Sequence, residues 1–379
     1  MLTLLKKARS KMKLTVITNI PAPYRIPIFN KIAGKLGKNF LVIFCARLEP
    51  NRKWDLGPLE FNHIYLKESI IKKQGYFIHN NPDVVNVLRE FKPDVVVTSG
   101  FNPTHLIAWA YTLFSKSKHV SMTDGWLHSE KGLSVFHRIV RKIVFWTSSA
   151  FIGAGKASLE LYRSYGINDC HLFQSHLCID NDKFKKFGLN QNRTYDLMYS
   201  GQIVSGKIPE FFIKVVERVR SLKSSVSVLI IGDGPQKDIF LSSLKALDVD
   251  VTYAGFVAQS NLPEYYSKAN ILLFTTINDA WGIVANEALA SGTPVITTPF
   301  AGVAHDLVID GFNGYILGLD PELWTSRIIE LLENPELLEK MRSNALNSVS
   351  EFNFDNAADG IISAACYAVA DKKLYQDQR

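Results

Sequence analysis

Short apolar segments rich in β-branched residues recur along this chain and alternate with segments of helical spacing, except that a loop-rich stretch follows the second one. In the first half these segments occupy residues 13–20, 40–48, 94–100, 119–125 and 150–155. The series starts again at 195–202 and continues at 227–235, 249–256, 270–276 and 293–299. Continuous apolar strands that alternate with helices are typical of parallel sheets covered on both faces. The sequence therefore predicts an α/β protein with two doubly wound, Rossmann-like domains.

The length of the chain and one polar segment predict where the domains divide. A chain of 379 residues fits two domains of about 150 residues better than one or three. Residues 181–194 are polar and aperiodic, so we place a linker there. It separates an N-terminal domain over 1–185 from a C-terminal domain over 190–352. Residues 353–379 follow the last strand and have helical spacing as far as Val369, which predicts a C-terminal helix that crosses back to the N-terminal domain.

The two halves of the chain carry opposite net charges. Residues 1–190 hold 28 Lys and Arg against 13 Asp and Glu, a net charge of +15. Residues 191–379 hold 15 against 23, a net charge of −8. This asymmetry indicates a partner that approaches from one side. Nucleic acid and an anionic membrane surface are the two candidates.

Residues 133–146 help to choose between these candidates. Their helical pattern has Val135, Phe136, Ile139, Ile143 and Val144 on one side and Arg138, Arg141 and Lys142 on the other. A basic amphipathic helix favours a membrane surface; the alternative is a helix packed on its own sheet with a solvated basic face. Nucleic acid is disfavoured, because aromatic residues are not interleaved with the charges and no recognition module is visible.

Compartment signals are few. No stretch approaches the roughly 20 apolar residues of a membrane span, and the basic N-terminus lacks the apolar core of a signal peptide. The four cysteines, Cys45, Cys170, Cys178 and Cys366, show no metal-ligand spacing, and free thiols suit a reducing cytosol. We expect a cytoplasmic protein that is peripheral on the inner face of the membrane.

Two glycine-containing turns follow strands of the second half. The segment SGQIVSGK places Gly201 after a strand and Lys207 before a helix that starts at Pro209. Backbone amides, a lysine and a helix N-terminus together can hold an anion, although an ordinary turn with a surface lysine has the same pattern. The turn IIGDGP, with Gly232, is compatible with a nucleotide site but is weak evidence alone.

A third segment, 278–302, contains paired carboxylates. Asp279 lies in the turn after a predicted strand, and Glu287 lies about one turn into a helix that starts near Gly282. Both can face the crevice where open α/β sheets bind ligands. Gly282 permits close approach of a ligand, and the amides at the helix start can bind negative oxygens. The alternative is a capped surface helix with scattered acids.

From Tyr199 to Gly314 these motifs resemble the retaining glycosyltransferases of family 4, which have the GT-B fold. The shared features are the Gly201…Lys207 loop, the Gly-Asp-Gly-Pro turn, Gly255-Phe256, the acid pair spaced as E-x7-E, residues 287–295 (EALASGTPV) and residues 310–314 (DGFNG). So many motifs in the family's order make the resemblance specific for the C-terminal half.

The resemblance implies roles for individual residues. Lys207 would hold the donor diphosphate, Glu287 would hydrogen-bond the ribose, and Asp279 would lie against the donor sugar. The remaining donor-binding residues implied are Gly201, Gln202, Gly232, Phe256 near the base, Gly282, Ile283 and Val284. The co-substrate would be a UDP- or GDP-sugar, with no cofactor and no metal, because the lysine and helix ends neutralise the diphosphate.

Two positions depart from the family pattern. Gln202 stands where the family usually has arginine, so one charged contact to the diphosphate is missing. Asp279 stands where the first glutamate of the pair is usual, and its side chain is shorter by one methylene. Both departures concern the donor and the rate rather than the fold.

The N-terminal half matches more loosely, as expected for the part that binds the acceptor. Arg25 either reaches the cleft or caps the helix after it. Residues 122–132, MTDGWLHSEKG, sit at a strand end and occupy the region where relatives place an acceptor-side base. Asp124 is the preferred base, with His128, Glu130 and Lys131 beside it. His128 is better interpreted as a loop histidine.

The resemblance implies retaining transfer of a sugar from a UDP- or GDP-sugar to a hydroxyl acceptor. The expected acceptor is a lipid-linked glycan in the synthesis of a surface polysaccharide (lipopolysaccharide, capsule or exopolysaccharide), with Asp124, Asp279 and Lys207 as catalytic residues. Two alternatives stay open. One is a catalytically weak sugar-nucleotide-binding partner of an assembly complex, suggested by Gln202. The other is a GT-B sugar-nucleotide epimerase, which the motif set disfavours.

Overall fold

The computed structural model describes residues 12–50, 56–73, 76–188 and 193–370. They form two compact units. The N-terminal unit contains the described residues up to Leu177 together with those from Phe354 onward, and the C-terminal unit is Cys178–Asn353. The chain therefore passes twice between the units.

The N-terminal unit is built on a seven-stranded parallel sheet of order β3-β2-β1-β6-β7-β8-β9, with a separate hairpin of β4 and β5. Its strands are β1 Leu14–Thr18, β2 Phe40–Phe44, β3 Asn62–Tyr65, β4 Ile70–Lys73, β5 Tyr76–His79, β6 Val95–Thr98, β7 Lys118–Thr123, β8 Ala150–Gly153 and β9 Leu172–Gln174. Its helices are α1 Ile26–Leu36, α2 Val84–Phe91, α3 Pro103–Leu113, α4 Leu127–Glu130, α5 Val135–Thr147, α6 Lys156–Ser164 and, from the end of the chain, α14 Phe354–Val369.

The C-terminal unit has a six-stranded parallel sheet of order β12-β11-β10-β13-β14-β15. Its strands are β10 Tyr195–Ser200, β11 Ser227–Ile231, β12 Asp250–Gly255, β13 Ala269–Phe274, β14 Val295–Thr297 and β15 Gly314–Ile316. Its helices are α7 Asn181–Gly188, α8 Pro209–Leu222, α9 Lys237–Lys245, α10 Leu262–Tyr266, α11 Ile283–Ala290, α12 Pro321–Glu333 and α13 Pro335–Ser348.

Local sequence explains where the main elements begin and end. In the first strand of each unit, LTVIT in β1 and YDLMYS in β10, most residues are buried, as expected for parallel strands covered on both faces. Helix α8 starts with Pro209 in its first turn, where a missing backbone N–H costs nothing. Its buried side, with Phe212 and Val216 fully inaccessible to solvent, packs on the sheet. Helix α1 ends at Gly37, whose φ of 56° is unfavourable for other residues.

Each sheet reverses its strand order once. The reversal lies between β1 and β6 in the N-terminal unit and between β10 and β13 in the C-terminal unit. The loops that leave the carboxyl ends of these neighbouring strands diverge to opposite faces and leave a crevice, the usual ligand position in open α/β sheets. The two α/β domains predicted from the sequence are confirmed, and each contains one such switch point.

The described structure corrects two expectations about chain organisation. Residues 181–194, which we predicted to be a linker, contain α7, and α7 packs on α10 and α11 within the C-terminal unit. The phenyl ring of Phe184 lies 6.0 Å from the ring of Tyr266. The unit boundary falls earlier, between Leu177 and Cys178. Helix α14 packs against α1, β8 and β9 in the N-terminal unit.

The region between β2 and β6 has more regular structure than the sequence indicated. We expected a loop-rich stretch there, but it contains β3, the β4–β5 hairpin and α2. Strand β3 is mostly exposed, so it lacks the apolar run by which buried strands are recognised. Across the described part of the chain, no helix has the length and apolar character needed to cross a membrane.

Candidate functional site

Three loops meet at the carboxyl ends of β10, β11 and β12 in the C-terminal unit. The amide of Gly232 donates to the carbonyl of Gly255 at 2.8 Å, and the amide of Ile203 donates to that of Asp233 at 3.0 Å. Gly232 has a φ of 127°, and a Cβ there would collide with the carbonyl of Gly201. The glycines predicted to approach a nucleotide thus also allow these loops to pack on one another.

Lys207 lies at the end of a short 3₁₀ turn, Ser205–Lys207, that two threonines directly after β13 hold in place. The hydroxyl of Thr275 donates to the carbonyl of Lys207 at 2.8 Å, and that of Thr276 donates to Gly206 at 3.1 Å. The ammonium group lies 4.6 Å from the centroid of the Phe274 ring. These contacts fix the lysine at the switch point between β10 and β13.

The ammonium group of Lys207 forms an ion pair with Oδ2 of Asp279. The other carboxylate oxygen, Oδ1, accepts from the amide of Trp281 at 3.1 Å. The two side chains are 20 % and 23 % exposed, so the pair lines a surface that a solute can reach. The structure thus brings together two residues that are 72 positions apart and that the sequence analysis assigned to the same site.

Helix α11 begins directly after this pair. Its N-cap is Gly282, with a φ of 102°, and no side chain caps the helix start. A Cβ at Gly282 would collide with the ring of Phe274. The first amides, those of Ile283 and Val284, therefore stand at the positive end of a helix with no capping side chain, an arrangement suited to anionic oxygens.

Glu287 lies one turn further and is buried. Burial raises the pKa of its carboxyl group to about 7, and the hydrogen bond from Tyr266 opposes that shift. The hydroxyl of Tyr266 donates to Oε2 of Glu287 at 2.6 Å, and Ser200 hydrogen-bonds the same hydroxyl at 2.7 Å. The sequence analysis missed this Ser200–Tyr266–Glu287 chain, because the tyrosine lies 66 residues from the serine and 21 from the glutamate.

Two further predicted donor-side residues lie at the periphery of these loops. Gln202 is exposed, and its backbone carbonyl accepts from the hydroxyl of Tyr199 at 2.9 Å. Phe256 follows β12 and is 65 % exposed. The structure leaves both side chains accessible to a ligand, and their roles stay predictions.

The N-terminal unit has a cavity of about 190 Å³ at its own switch point. Residues on its wall include Asn19, Tyr24, Arg25, Glu49, Ser99 and Asp124. The guanidinium group of Arg25 donates to Oδ1 of Asp124 at 2.7 Å and to the Ser175 carbonyl and hydroxyl oxygens at 3.3 Å. Arg25 makes no side-chain capping hydrogen bond. Of the two interpretations of Arg25, the structure disfavours the one in which it caps the helix.

The other predicted acceptor-side residues do not converge on that cavity. His128 stacks on Trp126 with ring centroids 5.3 Å apart. Glu130 forms an ion pair with Arg141 and accepts from the hydroxyl of Tyr165 at 2.8 Å. Glu130 and Lys131 line a different groove, beside α5. The pairing of Glu130 favours a structural role for that carboxylate.

The described residues contain no cluster of three or more His, Cys, Asp or Glu side chains that could hold a metal ion. The positive groups present near Asp279 are Lys207 and the start of α11. Metal independence stays a prediction.

One known family is similar to most of the C-terminal unit. Residues 180–348 match the model of the family described as glycosyl transferases group 1. Over these residues the chain is similar to the group 1 glycosyltransferases. The predicted resemblance to family 4 is confirmed, and the match covers the Lys207–Asp279 pair, α11 and Glu287.

Two curated proteins are similar to part of this chain. The D-inositol 3-phosphate glycosyltransferase of Streptomyces griseus is 29 % identical over 50 % of this chain and 42 % of its own length. A Campylobacter jejuni protein named GalNAc-alpha-(1->4)-GalNAc-alpha-(1->3)-diNAcBac-PP-undecaprenol alpha-1,4-N-acetyl-D-galactosaminyltransferase is 25 % identical over 50 % of each chain. The chain thus spans half or less of the length of these two relatives.

A solved structure matches both units of this chain. Anabaena HepE in complex with UDP superimposes with a TM-score of 0.73 and 17 % identity, covering 93 % of this chain and 99 % of that one. At this identity the similarity concerns the fold alone. The predicted GT-B fold is confirmed.

Proposed function

We propose that this protein transfers a sugar, with retention, from a UDP- or GDP-sugar to a hydroxyl acceptor. The observation that carries the proposal is the ion pair of Lys207 and Asp279 beside the uncapped start of α11. A cation and a helix N-terminus at one place are suited to a departing nucleoside diphosphate. UDP is the favoured nucleotide because HepE, which has the same fold, was solved with UDP bound.

Each residue of the donor site has a distinct task in this proposal. The ammonium group of Lys207 and the amides of Ile283 and Val284 stabilise the negative charge that develops on the leaving diphosphate. Glu287 accepts hydrogen bonds from the ribose. Asp279 holds Lys207 in position and lies against the donor sugar. Because the protein supplies the positive charge itself, no metal ion is required.

On the acceptor side, Asp124 takes the proton of the attacking hydroxyl group. Its carboxylate is 37 % exposed, whereas its partner Arg25 is 7 % exposed, so an acceptor can reach the carboxylate while the buried arginine fixes its orientation. The polar cavity of about 190 Å³ in which both lie receives the acceptor in this proposal.

The acceptor that we propose is a lipid-linked glycan of surface polysaccharide synthesis, reached at the inner face of an anionic membrane. Two observations support this choice. The Campylobacter relative is named for an undecaprenol-linked substrate, and the first half of this chain carries a net charge of +15. Each basic residue near an anionic leaflet adds about 1 kcal/mol of attraction.

A metal-free thermal-shift screen tests the nucleotide. UDP, GDP, ADP, CMP and their common sugars are compared in the presence of EDTA. A ligand at 100 times its dissociation constant adds about 2.7 kcal/mol to the free energy of unfolding, a shift of a few degrees. A response to UDP or GDP and not to ADP or CMP is expected. If none of them shifts the transition, the proposed donor class is wrong.

Gln202 favours one alternative, a sugar-nucleotide-binding partner with little catalytic activity, because a charged contact to the diphosphate is absent there. The release of free sugar from the responding nucleotide sugar separates the two functions. A transferase slowly hydrolyses its donor, whereas a binding partner leaves it intact. Gln202→Arg should increase the hydrolysis rate if the missing charge limits catalysis.

A further inference from the structure

Helix α5 faces solvent with its apolar side. Among its residues Phe136 is 70 % exposed and Trp146 is 86 % exposed. The other apolar residues of the same side are Val135, Ile139 and Ile143, with exposures of 72 %, 51 % and 46 %. We name these five residues the apolar stripe. Exposed apolar residues that form a continuous surface mark an interaction site more often than isolated ones do.

The opposite side of α5 attaches it to the unit. Val144 and Phe145 are buried there. Arg141, which the sequence analysis placed on a solvated basic face, is instead turned toward the protein. Its guanidinium group pairs with Glu130 and lies 4.6 Å from the ring centroid of Phe101. The alternative of a helix packed on its own sheet with a solvated basic face holds in part, because α5 contacts β7 and both Arg138 and Lys142 are exposed. Of the residues assigned to its apolar side, only Val144 is buried, so the helix does not pack by that side as a whole.

A groove of about 430 Å³ borders the apolar stripe. Its wall contains Lys131, Arg138 and Lys142 together with Leu127, Val135 and Ile139. Glu130 also lines it, but that carboxylate is occupied by Arg141 and by the hydroxyl of Tyr165. The groove thus joins three basic side chains to the edge of an apolar surface.

We propose that α5 docks on an anionic bilayer, with the apolar stripe in the headgroup–acyl boundary and a lipid phosphate in the groove. This deepens the membrane location proposed above and rests on it. Apolar side chains flanked by cations match the two layers that such a surface presents. A second copy of the chain fits less well, because a two-fold contact through this face would bring Arg138 and Lys142 close to their own copies.

Flotation of the full chain with vesicles tests the proposal. Vesicles of phosphatidylcholine with 30 mol% phosphatidylglycerol are compared with pure phosphatidylcholine. The protein should bind the anionic vesicles and lose binding as salt is raised. Arg138→Gln with Lys142→Gln should weaken this binding by roughly 30-fold. Phe136→Ser with Trp146→Ser should weaken it by at least about 10-fold.

Matched variants control for charge and apolar area. Lys38→Gln with Lys72→Gln removes the same charge from exposed positions on other elements of the N-terminal unit. Leu222→Ser with Ile239→Ser removes two side chains of the C-terminal unit that are 68 % and 72 % exposed. Both control pairs should bind vesicles like the parent protein.

Three results would overturn the proposal: a parent protein that ignores anionic vesicles, equal binding by the α5 variants and the parent, or variants whose only change is dissociation of a dimer. The last result would assign the stripe to a second copy of the chain. Donor hydrolysis in vesicle-free buffer is measured on the same proteins. If the parent protein binds anionic vesicles but does not hydrolyse its donor, the proposed transfer reaction is contradicted while the docking proposal is not.

Discussion

In the C-terminal unit, the loops at the switch point are rich in glycine and bring backbone amides to the site. In the N-terminal unit, the corresponding loops line a cavity with side chains such as Arg25 and Asp124. Both units place a cation beside an aspartate at the carboxyl ends of their strands. The backbone amides of the C-terminal unit bind a ligand only if the loops keep their shape, whereas the side chains of the N-terminal cavity can change their ligand through single substitutions. This agrees with a family match that begins at residue 180.

The buried titratable groups differ in the same way. In the N-terminal unit burial lowers the pKa of His105 and of His119 to about 3. In the C-terminal unit burial raises the pKa of Glu287 to about 7. Each of these groups favours its neutral form. For the histidines that form is reached by losing a proton at high pH, and for Glu287 by binding one at low pH.

The largest effect is expected at the side-chain-lined cavity. Asp124→Asn should lower turnover of the responding nucleotide sugar by about 100-fold or more, since a positioned base contributes that much, while nucleotide affinity stays unchanged. His128→Gln is the control and should retain turnover within a few-fold. Steady-state release of sugar and nucleotide titration measure the two quantities. Unchanged turnover in Asp124→Asn would exclude this residue as the base.

A pair of identical changes compares the glycines of the two units. Gly232→Ala should lower the free energy of unfolding by about 3 kcal/mol, because its positive φ and the adjacent carbonyl of Gly201 leave no room for a methyl group. Gly34→Ala, in α1 with open space around its Cβ, should raise it by about 0.5–1 kcal/mol. Chemical denaturation measures both. Equal effects would mean that the loop packing of the C-terminal unit adjusts freely.

Glu287→Ala should weaken UDP or GDP binding by about 30-fold, the loss of a buried hydrogen-bonding group, with the fold retained. Glu264→Ala removes an exposed carboxylate of α10 and should not alter affinity. Isothermal titration gives both dissociation constants. Unchanged affinity for both nucleotides in Glu287→Ala would contradict its assignment to the ribose.

The two units should also differ in how their stability responds to acidity. The unfolded histidines bind protons below about pH 6.5 while the folded ones stay neutral. The N-terminal unit should therefore lose about 1.4 kcal/mol per pH unit for each histidine as the pH falls from 6.5. Folded Glu287 stays protonated up to about pH 7 and ionises near 4.5 when unfolded. Its contribution is therefore lost as the pH rises from 4.5 to 7.

Hydrogen exchange of the full chain, corrected for intrinsic rates, resolves the two units in one experiment. Protection of β6 and β7 should fall on acidification. The contribution of Glu287 should instead lower protection of β10 and β13 as the pH rises from 4.5 to 7. His119→Gln should reduce the slope of the N-terminal unit, whereas His63→Gln, at an exposed position of β3, should not. Parallel pH profiles in both units would refute the comparison.

The fold was predictable because buried parallel strands have a strong signal. The apolar runs before Gly201 and Gly232 located two adjacent strands and hence the loops of the site, and Pro209 fixed the start of α8 to the residue. Exposed or polar elements gave no such signal. Strand β3 lacks an apolar run, and α7 buries only Phe184, so both were missed.

The candidate site was predictable where chemistry is local and not where it depends on tertiary contacts. Gly201, Lys207, Asp279 and Glu287 follow from loops at strand ends. Tyr266 does not, because an ordinary tyrosine at the end of a five-residue helix has no feature that connects it with Glu287. The orientation of α5 was also beyond the pattern, since amphipathic spacing identifies the apolar side but not the side that meets the protein.

Helix α14 has a consequence for how the chain folds during synthesis. Its buried residues, which include Ile361, Ile362 and Ala365, complete the N-terminal unit but are made after the whole C-terminal unit. The inserted C-terminal unit can therefore finish folding on the ribosome first. Until α14 is made, the sheet of the N-terminal unit has an uncovered apolar face, the kind of surface that chaperones bind. A stop codon at residue 354 should leave the C-terminal unit folded, whereas the N-terminal unit should fail to fold and cause the truncated chain to aggregate.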